Sequence, residues 1–572
     1  MKKRLIIVTV IIIAVIAGGY FYLRYGVLKA KDFKPAIAKE KNAIDLRPSI
    51  IAKLQQLIKD GSNGLYNLSI DKLDPDILAS TVNVTKASIR IDTAGMKRLD
   101  SLHLLPDDIF TFTFKSLQID GLGINDLLHT NKINITGIHI VYPIVNVYHK
   151  KRSYNAAERR HTDTLTLYDK LKGQMKQIAI KTIDIKQGTF INHDLEKNKI
   201  TRFNDVSVLV DDVLIDSTTR FDTKRYLFSK HVTVHSKNYT IATADSVYFF
   251  KVGDISISGD QHNIVAQNVE LKPRLSREQF KKRLQFGKDL YHLISPKIIL
   301  HDVDWQALVN NEKFISNSAE IVGGNYSIYF DRSVPQGPMK LDNFPQQALF
   351  KLPFPFSIKK IKVEQVDFSY EEHNPVTDKN GIIYLDKVSA VMNNVTNIAA
   401  EIKKQKFLNV SAKTLLLHHV PLSVNLKFDL AKHTTGDFSA VIHVDTLDNK
   451  TINPIAEPLG FFSVKTGQMQ KAIIQVTGNN YKTNGTMQML YSDLHIAPLK
   501  KDEAGNLKVK KVTGLLANVI LIKNENPSGQ ELRKPAFEVE RGSHKNFFNL
   551  LWSSILTGLV KTVGIPTKFV KK

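Results

Sequence analysis

The chain has 572 residues, 43% of them hydrophobic, and 79 basic against 55 acidic side chains give it a formal charge of +24. That apolar content excludes bulk disorder, and the absence of cysteine excludes disulfides, a thiol nucleophile, thiolate metal sites and lipid attachment through a thiol. The positive balance suits anionic head groups, yet no block of five or six like charges occurs, so charge spread over a solvated surface fits equally well.

The N-terminus reads MKKRLIIVTVIIIAVIAGGYFYLRY. As a helix, Leu5 to Leu23 would span about 28 Å, close to the hydrocarbon thickness of a bilayer. Lys2, Lys3 and Arg4 favour the cytoplasmic side, and Tyr20, Phe21, Tyr22 and Tyr25 resemble an interfacial aromatic belt. Residues 1–26 are therefore expected to form a single transmembrane anchor, with the bulk of the chain outside the cytoplasm, where nucleic acid is not a partner. The rival is a cleaved signal peptide, with Leu5 to Ile16 as its apolar region and Val15 and Ala17 at the cleavage site.

Residues 27–63 read as a linker and an amphipathic helix, with Ile50, Ile51, Leu54, Leu57 and Ile58 at helical spacing and Gly61 as the stop. From Gly64 the period changes to two: Val82 and Val84, then Ile89 and Ile91, alternate with polar neighbours. The same alternation predicts strands in Lys132–Tyr148, Gln177–Ile191, Val206–Ile215, His231–His235, Asp254–Ile257 and Ile358–Tyr370. It recurs in Leu422–Leu430, Phe438–Val444, Ala472–Val476 and Thr486–Ile496. Ser276 and Gln279 predict a capping box ahead of a helix through Phe280, Leu284, Leu290, Tyr291 and Ile294, closed by Pro296. Charged Lys150–Thr164 and proline-rich Asp331–Pro355 read as connections.

A duplication underlies the strands. QIAIKTIDIKQGTFINHD, from Gln177, aligns without a gap on PFSIKKIKVEQVDFSYEE, from Pro355, at an offset of 178 (358 − 180 = 178). Downstream, Val206-Ser207 matches Val388-Ser389. In both copies the apolar phase slips: Ile178 and Ile180 are even, Ile183 and Ile185 odd, Phe190 even again, and Phe356 to Tyr370 repeats that order. A slip in a period-two pattern predicts a β-bulge, hence strands bent at matching places. The organisation that follows is a first β repeat unit at 64–235, a second at 236–415, a C-terminal β region at 416–540 and an amphipathic helix at 541–572.

Alternating strands have one face that needs cover, and predicted helices are too few to supply it. The expected fold is mainly β: an N-terminal transmembrane helix, then an elongated, curled antiparallel sheet that forms a repeated β-groove, with a few amphipathic helices. The candidate groove-lining residues are Ile180, Ile183, Ile185 and Phe190 in one copy and Ile358, Ile361, Val363 and Phe368 in the other. For a chain tethered to a membrane the abundant apolar cargo is lipid acyl chain. The terminal stripe Phe548, Leu551, Trp552, Ile555 and Leu559 has two readings, a helix resting in a membrane interface or a cap packed on the open end of the sheet.

The chain contains no phosphate-binding loop, paired-histidine zinc motif or nucleophile elbow, and Gly121-Leu-Gly123 lacks the third glycine of a dinucleotide fingerprint. Neither His231 with His235 nor adjacent His418 and His419 can share an ion on a strand, by distance and by facing. No catalytic residue, cofactor or metal is expected, and the class is non-enzymatic.

The helix ending in DGSNGLYNLSI, the blocks SIKKIKVEQVDFSYEE and GIIYLDKVSAVMNNVTN, and the run EPLGFFSVKTGQMQKAIIQVTGNNYKTNGTMQMLYSDLHI together resemble the large AsmA-like envelope proteins of Bacteroidetes-type bacteria, over most of the chain. The wider group, which includes TamB, consists of inner-membrane-anchored proteins that project β-grooves into the periplasm. The resemblance implies a single-pass protein of the inner (cytoplasmic) membrane with its bulk in the periplasm, membrane lipids (phospholipid) and envelope proteins as partners, and a role in phospholipid transfer or outer-membrane biogenesis. The alternative is an anchored periplasmic β scaffold that recruits envelope partners without carrying lipid.

Overall fold

The structure, a computed structural model, describes residues 47–76, 80–121, 132–155, 176–196, 198–219, 222, 225, 228–243, 245–311, 313–335, 337, 341–460, 462–502, 507–509, 523–542 and 546–564. The expected anchor or signal segment lies outside them. Among the described residues no helix is long and apolar enough to cross a membrane. Strand outweighs helix, 60% to 17%, as the period-two pattern requires. The chain divides into two compact units, residues 1–241 with 252–264 and residues 242–251 with 265–572.

The first unit holds α1 (Arg47–Gly61), β1 (Tyr66–Asp76), β2 (Thr81–Ile91), α2 (Thr93–Ser101), β3 (Asp108–Asp120), β4 (Lys132–Val141), β5 (Ile144–His149), β6 (Gln177–Asp194), β7 (Lys199–Ile215) and all but the last residue of β8 (His231–Ala242). β9 (Tyr248–Ser258) and β10 (Asn263–Pro273) contribute residues to both units. The second unit holds α3 (Arg277–Arg283), β11 (Leu290–Val303), α4 (Trp305–Asn311), β12 (Phe314–Asp331), α5 (Pro345–Phe350), β13 (Phe356–Asn374), β14 (Lys379–Thr396) and α6 (Ala399–Lys404). It continues through β15 (Phe407–Leu416), β16 (Val420–Asp429), β17 (Phe438–Val444), β18 (Leu447–Asp448), α7 (Asn449–Gly460), β19 (Phe462–Gly478), β20 (Lys482–Lys501), β21 (Leu507–Val509), β22 (Ala536–Glu540) and α8 (Phe547–Val563).

Two places depart from antiparallel pairing among the strand pairs whose register is described, one in each unit: β6 runs parallel to β4 and β5, and β13 runs parallel to β12. A parallel pair needs a crossover of a dozen or more residues, and the chain supplies it between His149 and Gln177 and between Asp331 and Phe356. The charged and the proline-rich stretches are these crossovers. From β13 the second unit continues antiparallel through β14, β15, β16, β17, β19, β20 and β22.

Two creases cross the ladder at equivalent places in both copies. At the first, the pairing of β6 with β7 shifts between Ile185, Gly188 and Phe190, and that of β13 with β14 shifts between Val363, Val366 and Phe368, each 178 residues on (363 − 185 = 178). Left-handed residues mark the line: Tyr142, Gln187 and Asp205 have φ of 54°, 55° and 48°, and Gly323, Gln365 and Lys387 have 68°, 55° and 51°. These are the bulges that the phase slip predicts, and an extra residue in one strand re-aims the side chains that follow it.

At the other slip, between Ile180 and Ile183, the expected bulge is absent: a second crease forms there and register is kept. Ile180 faces Val213 and Thr182 faces Asp211, so both sums are 393, but Lys181 and Asp212 make no ladder pair. In the other copy Lys359 and Asn394 are skipped in the same way. Asp212 and Asn394 have φ of 54° and 64°, and the line ends at Gly121 (62°) and Asp302 (51°). All three neighbouring strands slip phase together: Ile133 and Ile135 give way to Ile138 and Ile140 on β4, as Ile215 and Val213 give way to Val210 and Val208 on β7.

The expected helix after Ser276 is shorter than its pattern. The capping box of Ser276 and Gln279 forms, but α3 ends at Arg283 and Leu290, Tyr291 and Ile294 lie on β11. Ladder pairs with Tyr329, Ile328 and Asn325 decide those positions, which helical spacing alone could not separate from a strand.

Left-handed backbone costs an L-residue about 1–2 kcal/mol, most for a β-branched one. Gln365→Val is therefore expected to destabilise the protein and Gln365→Gly to be neutral or stabilising, read as urea midpoints of the full chain. Equal midpoints for the two variants would show that residue 365 does not set the bulge.

Candidate functional site

The pairing register aligns apolar side chains into rows that run across the strands. In the second unit Ile321, Val363, Ala390, Ala412, Val424, Ile442, Ile474 and Met487 are successive partners from β12 to β20. Two residues along, Ala319, Ile361, Met392, Val410, Leu426, Ala440 and Val476 form a second row on the same face. Seven strand-to-strand steps make the first row about 34 Å long. In the first unit Leu73, Val84, Leu117, Ile140, Ile185, Val208 and Val234 are partners in the same sense from β1 to β8.

Cover differs along these faces. The first unit's is a packed core: Ile133, Ile138, Ile140, Ile178, Ile180 and Ile183 are all buried, with Ile51 of α1 against them. The space left among Leu68, Ile70, Val84, Ile89, Phe112 and Phe114 is about 20 Å³, room for about one water. In the second unit the β17–β20 end of the rows is buried under α8, whose Phe547, Leu550 and Val563 join Ile442, Ile474 and Met487 in one cluster. Toward β12 cover is mixed: Ala319, Val363 and Ala390 are buried, whereas Ile321, Ile361, Met392, Val410, Ala412, Val424 and Leu426 are only partly buried.

Of the expected groove residues, Ile180, Ile183, Ile358 and Val363 are buried, and Ile185, Phe190, Ile361 and Phe368 partly so. Ile180, Ile183 and Ile185 meet in the first unit's core, and Ile361 and Val363 share a small cluster with Val366, Ala390 and Met392 in the second. Phe190 packs against a different cluster, beside Phe112 and Val147.

Asn546 caps α8 by accepting from the Asn549 backbone N–H at 2.9 Å, and Gly564, at φ 82°, ends it. One side of the helix is made for contact: Gly558 lets it approach Met487 and Phe537, and Ser554 and Thr483 share a buried hydrogen bond of 2.7 Å. The other side carries Phe548 and Trp552, 58% and 40% exposed, with Ile555 and Leu559 continuing the stripe half-buried at i+7 and i+11. Leu551 sits between the two sides, packed against the cluster. Of the expected stripe, Leu551, Ile555 and Leu559 pack against the cluster under the helix, and Phe548 and Trp552 are exposed.

Beside the N-terminus of α8 lies an acidic cluster that sequence reasoning missed. Asp289 accepts from Asn546 Nδ2 at 3.0 Å and from the Tyr291 hydroxyl at 3.1 Å. Glu372 accepts from the Tyr370 hydroxyl at 3.1 Å and pairs with Arg332 at 3.4 Å. Burial pushes both carboxyls above the usual range, against the opposing pull of these donors, and the Asp289 charge raises Glu372 further. Asp289 precedes β11, Glu372 lies on β13 and Asn546 caps α8, with no shared motif, so spacing carried no signal. Glu371, next in the chain, is instead held low against burial by a two-pronged Arg277 contact at 2.6 and 2.9 Å.

The histidines are dispersed. His231 pairs with Asp260, and His418 and His419 occupy a turn and reach Asp386 and Thr451 separately. Among the described residues no group of three His, Asp or Glu side chains could hold a metal ion; Arg160 to Asp163 lies outside them. No protein-family profile matches the chain, and no curated protein matches it.

Two outcomes test this geometry. Leu550→Ala is expected to cost about 2–5 kcal/mol, while Phe548→Ser changes stability by less than about 0.5 kcal/mol, both by chemical denaturation; a large loss from Phe548→Ser would mean that its ring is covered. A carboxyl raised in the folded state contributes stability that is complete below its unfolded value and lost as pH rises through the folded value. Asp289→Asn should therefore raise Tm at pH 7, by an amount that vanishes near pH 3; a gain independent of pH would place its cause elsewhere.

Proposed function

We propose that this is a non-enzymatic protein of AsmA-like type, anchored in the inner membrane with its bulk in the periplasm, that shields lipid acyl chains along the apolar rows of its sheet for phospholipid transfer or outer-membrane biogenesis. The observation that carries this reading is the pair of rows in the second unit, one continuous over eight strands and the other over seven, with most of their side chains between β12 and β16 only partly buried. Rows that run across strands give an extended apolar chain a continuous track, and a partly solvated apolar track gains about 25 cal/mol for each Å² that a ligand covers. The aromatic stripe on α8 and the apolar N-terminal stretch fit a membrane-facing protein.

A second reading is favoured by the first unit. Much of its apolar face is filled by its own side chains, with Val208 and Val234 at the β7–β8 end partly buried, as expected of an anchored β scaffold that recruits envelope partners and carries no lipid.

Lipid mass spectrometry of the full chain, purified in a mild detergent, separates the two. Phospholipid is expected to accompany the native chain and to be lost from the folded double variant Ile361→Asp with Leu426→Asp, which charges one row where it is half-open. A lipid-free native chain, or lipid retained by the folded variant, would leave the scaffold as the function.

A further inference from the structure

The second crease is sealed in one copy and open in the other. In the second unit Asn317 Nδ2 donates to Asp302 Oδ2 at 3.2 Å, and Asn394 Nδ2 donates to the carbonyls of Gln405 and Phe407 at 2.6 and 3.1 Å. Side-chain amides thus fill the places where the ladder skips a pair. At the equivalent places the first unit has Gly121, Thr136, Lys181 and Asp212. Gly121 offers no side chain, and a Cβ there would collide with Thr136 Oγ1.

What remains is a cleft of about 340 Å³ lined by Thr136, Lys181, Asp212, Arg225 and Lys230 over a floor that includes Ala179 and Leu214. Three cations meet two carboxylates, Asp212 in the lining and Asp222 beside Arg225. Arg225 is held in place by the carbonyls of Asp212 and Phe228 at 2.6 and 3.3 Å and by Asp222 at 3.6 Å. Lys230 offsets Asp212 at 3.2 Å. The Lys181 ammonium is exposed and takes no partner among the described residues.

We propose that this cleft binds a phosphate group, supplied by a lipid head group or by free phosphate. A held guanidinium, a free ammonium and a hydroxyl around one opening are the donors that phosphate oxygens use, and charge-assisted bonds are the strong ones. The apolar floor gives room for a glycerol stem beside the anion. The site does not rest on the acyl-shielding reading, because Lys181, Arg225 and Lys230 lie off the apolar rows.

The test titrates the full-length chain with inorganic phosphate and, separately, with dihexanoyl-phosphatidylglycerol below its micelle concentration, by calorimetry at low salt. Lys181→Glu is expected to weaken binding at least about tenfold, the loss of one charge-assisted contact and the addition of a repulsion. Lys359→Glu, the equivalent lysine at the sealed crease, should leave it unchanged. Equal affinities for the two probes assign the site to phosphate itself, and tighter binding of the lipid assigns it to a head group. No binding of either probe, an unaltered affinity in Lys181→Glu, or an equal loss in Lys359→Glu would overturn the proposal.

Discussion

The constraint on which the rest depends is the left-handed residue placed within a strand. Gln187 and Gln365, Asp205 and Lys387, Asp212 and Asn394 each adopt a positive φ that costs an L-residue about 1–2 kcal/mol, and each does so at the same ladder position in its own copy. Such a residue survives only where the surrounding pairs over-determine it. Flanking pairs such as Ile185 with Val208 and Ile358 with Val395 do so here. Without the creases the apolar phase on β6 would cross from one face to the other at Ile183 and back at Phe190. With them Ile180, Ile183 and Ile185 join one core.

Once the phase is corrected, register turns local alternation into rows across the sheet. Covering a row is a separate matter, and the protein treats its rows differently. The first unit's face holds a core of packed isoleucines, whereas in the second α8 buries the β17–β20 end and cover toward β12 is mixed. The same helix shows the opposite economy on its two sides, with a glycine and two hydroxyls at its closest approach and aromatic rings turned to solvent.

Divergence between the copies follows the same logic at smaller scale. A skipped ladder pair exposes backbone groups that side chains can satisfy, as Asn394 does, or that can be left at the edge of a cleft, as around Asp212. Buried carboxyls at Asp289 and Glu372 are tolerated because tyrosine hydroxyls, an asparagine amide and an arginine meet them.

Much of this was legible in the sequence because strand alternation and its slips are local. The period-two runs, the duplication at an offset of 178, the bulges it implied, the capping box at Ser276 and the stripe from Phe548 to Leu559 all depend on neighbours within a turn or a strand. Leu290, Tyr291 and Ile294 were misassigned because three apolar residues at mixed spacing fit either period until Tyr329 and Ile328 pair with them. By itself the sequence determined the mainly β class, the repeat and the places where its strands bend, since a phase slip leaves no other way to keep one face apolar. Only the tertiary structure decided the parallel pairing across the two long connections, which rows are filled and which stay half-open, and which crease is sealed. Those depend on partners tens or hundreds of residues apart, whose meeting no local pattern encodes.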